Sequence, residues 1–241
     1  MSEIDSFDST WENKRCPKCY QTKGDLQNYK KIKSNDLDFS WTTLSFIMHY
    51  NCIICLREYL LIFNDDYSSL FLKVDIRGSL IIGIRRNSFL CVQALLSVCP
   101  PEFDLEDIFY AAGSYNRNNP KMFKMVLGYC HDIDFTWLFN SNTTILHRMV
   151  NNDLFENLKI LLNFKIKGQN LDVNIRNEIG ETPLHRAAEL DNLPIVKLLL
   201  EFNADIHAKD DVDMEPLEYA PHGEVLDYLK AYINAKNNNQ E

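Results

Sequence analysis

Two pairs of cysteines stand at the spacing that zinc sites use, Cys16-Pro17-Lys18-Cys19 and Cys52-Ile53-Ile54-Cys55. Four thiolates in two such pairs can enclose a zinc ion tetrahedrally. Against that chemistry, Cys52 and Cys55 fall at the start and on the buried face of a predicted helix, where a free cysteine serves as a small apolar side chain. We therefore expect no metal and no other cofactor, with Cys16, Cys19, Cys52 and Cys55 as the candidate ligands if that expectation fails. The first pair lies in a basic segment that holds Lys14, Arg15, Lys18, Lys23, Lys30, Lys31 and Lys33 beside Tyr20 and Tyr29. Such a composition can touch nucleic acid or an acidic partner. The chain as a whole carries a net charge of -9, which disfavours a nucleic-acid footprint, so the segment reads as a solvated terminus. The alternative is a zinc-stabilised adaptor whose basic arm contacts nucleic acid.

His147 and His185 are the other residues with catalytic potential. A dyad with a nearby cysteine would need a third, orienting group and an oxyanion site, and the sequence offers neither. With eight glycines in all, the chain has no phosphate-cradling glycine-rich loop. No enzymatic activity is expected.

The elements that would position these histidines are helical. Thr182-Pro183-Leu184-His185-Arg186-Ala187-Ala188 is followed by Asp191-Asn192-Leu193-Pro194-Ile195-Val196-Lys197-Leu198-Leu199-Leu200 and then by Asn203-Ala204-Asp205. Thr182 can cap a helix, and Pro183 suits its first position, where the missing N–H removes nothing. Leu184, Ala187 and Ala188 form a narrow apolar face that a second helix can approach, and Ile195, Val196, Leu198 and Leu199 supply that helix's face. Asn203 stands where the chain leaves the second helix with positive φ.

This unit resembles the ankyrin repeat, a motif of about 33 residues with a Thr-Pro-Leu-His signature. One hairpin cannot bury its apolar face alone, so neighbours are required. Thr144, Leu146 and His147, followed by Met149 and Val150 and then Leu158 to Leu162, repeat the pattern with bulkier residues in place of the alanine pair. The equivalent leucine or isoleucine recurs at Leu44, Leu80, Ile108, Leu146, Leu184 and Leu217. The resemblance thus implies an all-α ankyrin-repeat solenoid of about six stacked helix-turn-helix units with short hairpin tips. We divide the chain into a polar, basic extension over 1–38, a repeat domain over 39–234 whose last unit is a shortened cap, and a polar tail over 235–241. In the family the signature histidine braces the hairpin by hydrogen bonding, which gives His147 and His185 a structural role.

The first eleven residues lack a signal-peptide pattern, and the apolar stretch from Leu44 to Phe63 is broken by His49, Asn51, Arg57 and Glu58, which argues against a membrane span. Seven cysteines, an odd number, suit a reducing compartment, so the cytoplasm or nucleus is expected. The resemblance further implies protein binding through a concave surface formed by the hairpin tips and by the residues that end each first helix. On this chain those positions are His49, Tyr50, Arg85, Arg86, Asn151, Asn152, Glu189 and Leu190, with the tip residues Glu178, Ile179, Glu181, Asp211, Val212 and Met214. Their charge changes sign along the sequence, which suits an elongated protein partner bound by a monomer acting as adaptor, inhibitor or, in a further alternative, substrate receptor.

Overall fold

The computed structural model describes residues 43–61, 76–99, 103–114, 119–130, 143–166 and 169–238. Twelve helices lie among them, in six consecutive pairs: α1 (Thr43–His49) and α2 (Ile53–Leu61), α3 (Ile76–Arg85) and α4 (Phe89–Leu96), α5 (Glu106–Ser114) and α6 (Pro120–Tyr129), α7 (Ile145–Asn151) and α8 (Phe155–Asn163), α9 (Pro183–Glu189) and α10 (Leu193–Glu201), α11 (Pro216–Tyr219) and α12 (Glu224–Asn238). Strands are limited to β1 (Lys165–Ile166) and β2 (Gln169–Asn170), an antiparallel pair with Lys165 opposite Asn170. The recurring residue of the repeat lies inside the first helix of every pair. It is fully buried at Leu44, Leu80, Ile108, Leu146 and Leu184 and half-buried at Leu217 in the four-residue α11.

The chain divides into two units, residues 1–116 with 125–130 and residues 117–124 with 131–241, so that the residues of α6 are shared between them. In the first unit α3 packs against α1 and α5, while α2 and α4 pack on each other. Gly83 allows the close approach: a Cβ there would stand 2.7 Å from Val92 Cγ2 and 2.5 Å from Met48 Cε. Ser45 and Ser79 join α1 to α3 through a buried hydroxyl pair 2.9 Å apart, and Arg77 bonds Asp104 and Asp107, each at 3.1 Å.

In the second unit the first helices α7, α9 and α11 pack in series, and so do α8, α10 and α12. The buried faces follow the sequence pattern. Ile195, Val196, Leu198 and Leu199 of α10 and Leu184, Ala187 and Ala188 of α9 are all buried. Met149 and Val150, which replace the alanine pair, are buried as fully as the alanines, so their bulk is accommodated within the core. From Thr144 to Thr182 the repeat is 38 residues long, against 33 from Thr182 to Glu215, the cap of α11. The extra five residues fall where β1 and β2 form.

In four of the hairpins the turn carries a residue at positive φ, and an asparagine or aspartate supplies it: Asn51, Asn87, Asp153 and Asp191, at φ 51° to 58°. Short polar side chains reach this conformation at lower cost than bulky ones. Asn203, at φ 64°, ends α10 as expected. The last helix, α12, exposes Glu224, Asp227 and Lys230. It runs on to Asn238, past the boundary drawn at 234.

Candidate interaction surface

The signature histidines set the geometry of the second unit. His147 is fully buried, with Nδ1 2.8 Å from the Thr144 hydroxyl and Nε2 3.0 Å from the Glu181 carbonyl oxygen. A carbonyl only accepts, so Nε2 carries the proton and Nδ1 accepts from Thr144. His185 repeats the arrangement: the Thr182 N–H donates to Nδ1 at 3.0 Å, and Nε2 donates to the Met214 carbonyl at 3.0 Å. Each histidine therefore ties the start of its own helix to the residue just before the next repeat's helix cap. Burial holds His147 down at about 4, with the Glu181 acceptor working against it and Arg186 and His185 adding to it.

These ties fix the two tips. In the first, Asn177 Oδ1 accepts from the N–H groups of Ile179 and Glu181 at 3.1 and 2.9 Å. In the second, Asp210 Oδ1 accepts from Val212 and Met214, each at 2.9 Å. The second oxygen of Asp210 accepts from the Tyr219 hydroxyl at 2.6 Å, and Tyr219 stands edge-on to the His185 ring with centroids 5.1 Å apart. The Tyr219 bond, ahead of the Met214 and Val212 N–H groups, holds the Asp210 carboxyl below its usual range. Burial and Asp210 together raise the Tyr219 phenol.

Of the fourteen residues assigned to the surface by their sequence position, eleven are exposed, two are half-buried and one is buried. Tyr50, Arg85, Arg86, Asn151, Asn152, Glu178, Ile179, Glu189, Leu190, Asp211 and Val212 are exposed. Glu181 is buried at 5 % exposure, because its carboxylate turns inward to accept from Asn177 Nδ2 at 2.8 Å. It belongs to the tip's internal bracing and not to its outer face. Met214 and His49 are half-buried. Burial and then Arg86 lower the His49 imidazole, whose ring lies 4.9 Å from that of Tyr50. Asn151 accepts from Arg186 at 3.2 Å, Arg186 also pairs with Glu189, and Asn192 donates to Asp153 at 2.7 Å. The turns of neighbouring hairpins are thus cross-linked. Sequence reasoning missed this bracing, although Asp153 and Asp191 share the register of Asn51 and Asn87.

Cys52 and Cys55 are buried, as expected from the helix pattern, while Cys16 and Cys19 lie outside the described residues. Among the described residues no group of three or more His, Cys, Asp or Glu is placed to hold a metal ion. Burial pushes the Cys91, Cys99 and Cys130 thiols up to about 12, so none of the three is an activated nucleophile at neutral pH. No helix among the described residues is long and apolar enough to cross a membrane.

Helix pairs in register, signature histidines that bridge to the next repeat and outward tips together define a repeat interaction fold. Comparison with known proteins agrees. A family model of ankyrin repeats matches three copies, over residues 108–210 and 171–240. The chain belongs to the ankyrin-repeat family. It is 38 % identical over 68 residues to the putative ankyrin repeat protein FPV244 of fowlpox virus, a match covering 28 % of this chain and 10 % of that protein. It is 32 % identical over 90 residues to a putative ankyrin repeat protein of Rickettsia bellii, covering 34 % of this chain and 54 % of that one. To the human ankyrin repeat domain-containing protein 63 it is 39 % identical over 64 residues, 25 % of this chain and 17 % of that protein. The matched stretch thus spans about half or less of each relative. Ankyrin repeats imply a protein–protein interaction module, and the fold is generally a non-catalytic one.

Proposed function

We propose that the chain is a non-catalytic adaptor or inhibitor that holds a partner protein against the tips and first-helix ends of its repeats. The observation that carries this reading is the outward display of Ile179, Leu190 and Val212, at 58, 46 and 72 % exposure. Large apolar side chains held outward on a braced scaffold are the usual anchors of an interface. Rigidity adds to their value, because a face already ordered by the His147, His185 and Asn177 bonds loses little entropy on binding. The first unit offers Tyr50 with the basic pair Arg85 and Arg86, and the second offers acidic Glu178, Glu189 and Asp211.

The test uses a partner recovered on the immobilised chain and then measured by surface plasmon resonance. Arg85→Glu with Arg86→Glu is expected to slow association and alter its salt dependence, since exposed charges act mainly on encounter. Ile179→Ala or Leu190→Ala is expected to speed dissociation. Lys159→Glu, on the exposed side of α8, is the control. Lys197 is a poorer one, because its Nζ lies 5.1 Å from the Tyr228 ring centroid. Loss of binding in Lys159→Glu with all three other variants silent would refute the reading.

A further inference from the structure

The two tips of the second unit are built alike and joined to each other. The hydrogen-bonded turns closed by Asn177 and Asp210 hold the residues between them outward: Glu178 and Ile179 on one, Asp211, Val212 and Asp213 on the other. The Asp211 N–H donates to the Ile179 carbonyl at 3.2 Å, and Arg176 reaches from the Gly180 carbonyl, at 3.0 Å, to the Asp211 carboxylate, at 2.8 Å. Gly180 has φ 78°, and a Cβ there would meet the Asp211 backbone nitrogen at 2.7 Å. Ile179 and Val212 are therefore presented by a fixed, paired frame and not by independent loops.

Around these two apolar side chains the charge is one-sided. The charged residues that flank them on the tips, Glu178, Asp211 and Asp213, are all exposed and all acidic, and the two nearest exposed cations in the sequence are Arg176 and Lys209. Both cations are already engaged, Arg176 with Asp211 at 2.8 Å and Lys209 with Asp213 at 4.0 Å. Among the described residues no ion pair engages Glu178. A purely apolar ligand would strip water from these carboxylates without replacing it, and a polyanion would be repelled.

We propose that this paired tip captures a linear segment of a partner protein in which a large apolar residue is flanked by lysine or arginine. The proposal rests on the interaction reading above and adds the partner's chemistry to it. The apolar residue covers Ile179 and Val212, and the cations meet Glu178 and Asp213. Arginine fits best, because its guanidinium can bond a carboxylate through two parallel N–H groups.

Fluorescence anisotropy on the full chain tests this with two labelled twelve-residue peptides of equal leucine content, one with arginine and lysine at the polar positions and one with glutamate there. The basic peptide is expected to bind at least about tenfold more tightly than its acidic twin, and Ile179→Ser with Val212→Ser to weaken it by about tenfold or more. Glu178→Lys with Asp213→Lys is expected to weaken it similarly and to flatten its salt dependence. Glu156→Lys with Glu201→Lys, the same charge change on exposed residues of α8 and α10, should leave it within about twofold. Equal loss in that control would show diffuse charge attraction and overturn the proposal. Tip variants that bind as the unaltered chain does would overturn both the proposal and the tip reading beneath it. Preference for the acidic twin, with the serine variants still weakened, would overturn the partner's chemistry alone. Sedimentation velocity adds one more outcome: a dimer that forms through the tips and dissolves on Val212→Ser would make the occupant a second copy and refute the proposal.

Discussion

Acidification should loosen the second unit through His147. The buried imidazole sits at about 4, against an ordinary value near 6.5. The folded value lies below the unfolded one, so between these pH values the unfolded chain binds more protons and acid favours unfolding. The stabilisation is complete above about pH 6.5 and is lost as pH falls towards about 4. At about 1.4 kcal/mol per pH unit over the roughly two units between pH 6.5 and 4.5, acidification from pH 7 to 4.5 removes about 2–3 kcal/mol. His147→Gln can still donate to the Glu181 carbonyl but does not titrate in this range. Urea unfolding of both chains, followed by circular dichroism at pH 7 and pH 4.5, isolates the contribution, because other carboxylates titrate equally in each. The stability advantage of the unaltered chain over His147→Gln should shrink by about 2–3 kcal/mol at the lower pH. An advantage that stays constant would show that the imidazole is not buried in this register, and the bridge from α7 to Glu181 would fall with it.

Leu184→Asp places a carboxylate at a fully buried position; loss of at least the fifth repeat is expected in the melting curve, and an unchanged curve would mean the register is wrong. Asn157 is fully buried with neither amide atom bonded to a protein partner, where Ile195 stands in the next repeat, so Asn157→Leu should raise stability by about 1–2 kcal/mol in chemical denaturation. Tyr219→Phe removes the 2.6 Å bond to Asp210 and should destabilise by about 1–2 kcal/mol, with protection from hydrogen exchange falling first at Val212 and Met214. A chelator should leave the melting temperature unchanged, whereas one zinc per chain, lost on Cys16→Ser, would revive the zinc-stabilised reading.

The fold was legible wherever a residue type has one local job. Leucine or isoleucine at a fixed place in each first helix, Asn203 at positive φ, and Thr-x-x-His at two helix starts all read directly from sequence and all hold in the structure. What could not be read depends on particular bonding partners, one of them four residues away and others 29 and 34 residues away. Glu181 looks like an exposed tip acid until Asn177 turns it inward. His147 and His185 look local until their Nε2 atoms reach Glu181 and Met214. Ile179, Leu190 and Val212 are exposed, since an apolar residue between turn-forming polar ones has nowhere inside to go. The length of α12 escaped because Ala235 to Asn238 is polar, and an exposed helix end needs no apolar stripe.

The most direct measurement places a photo-crosslinking benzoylphenylalanine at Val212 in one chain and at Lys159 in another, both exposed positions of the second unit. Each chain is irradiated with the partner recovered on the immobilised protein. Binding through the tips requires a discrete adduct from position 212 and none from position 159. An adduct from position 159 alone would place the partner on the second helices and contradict the tip-directed function.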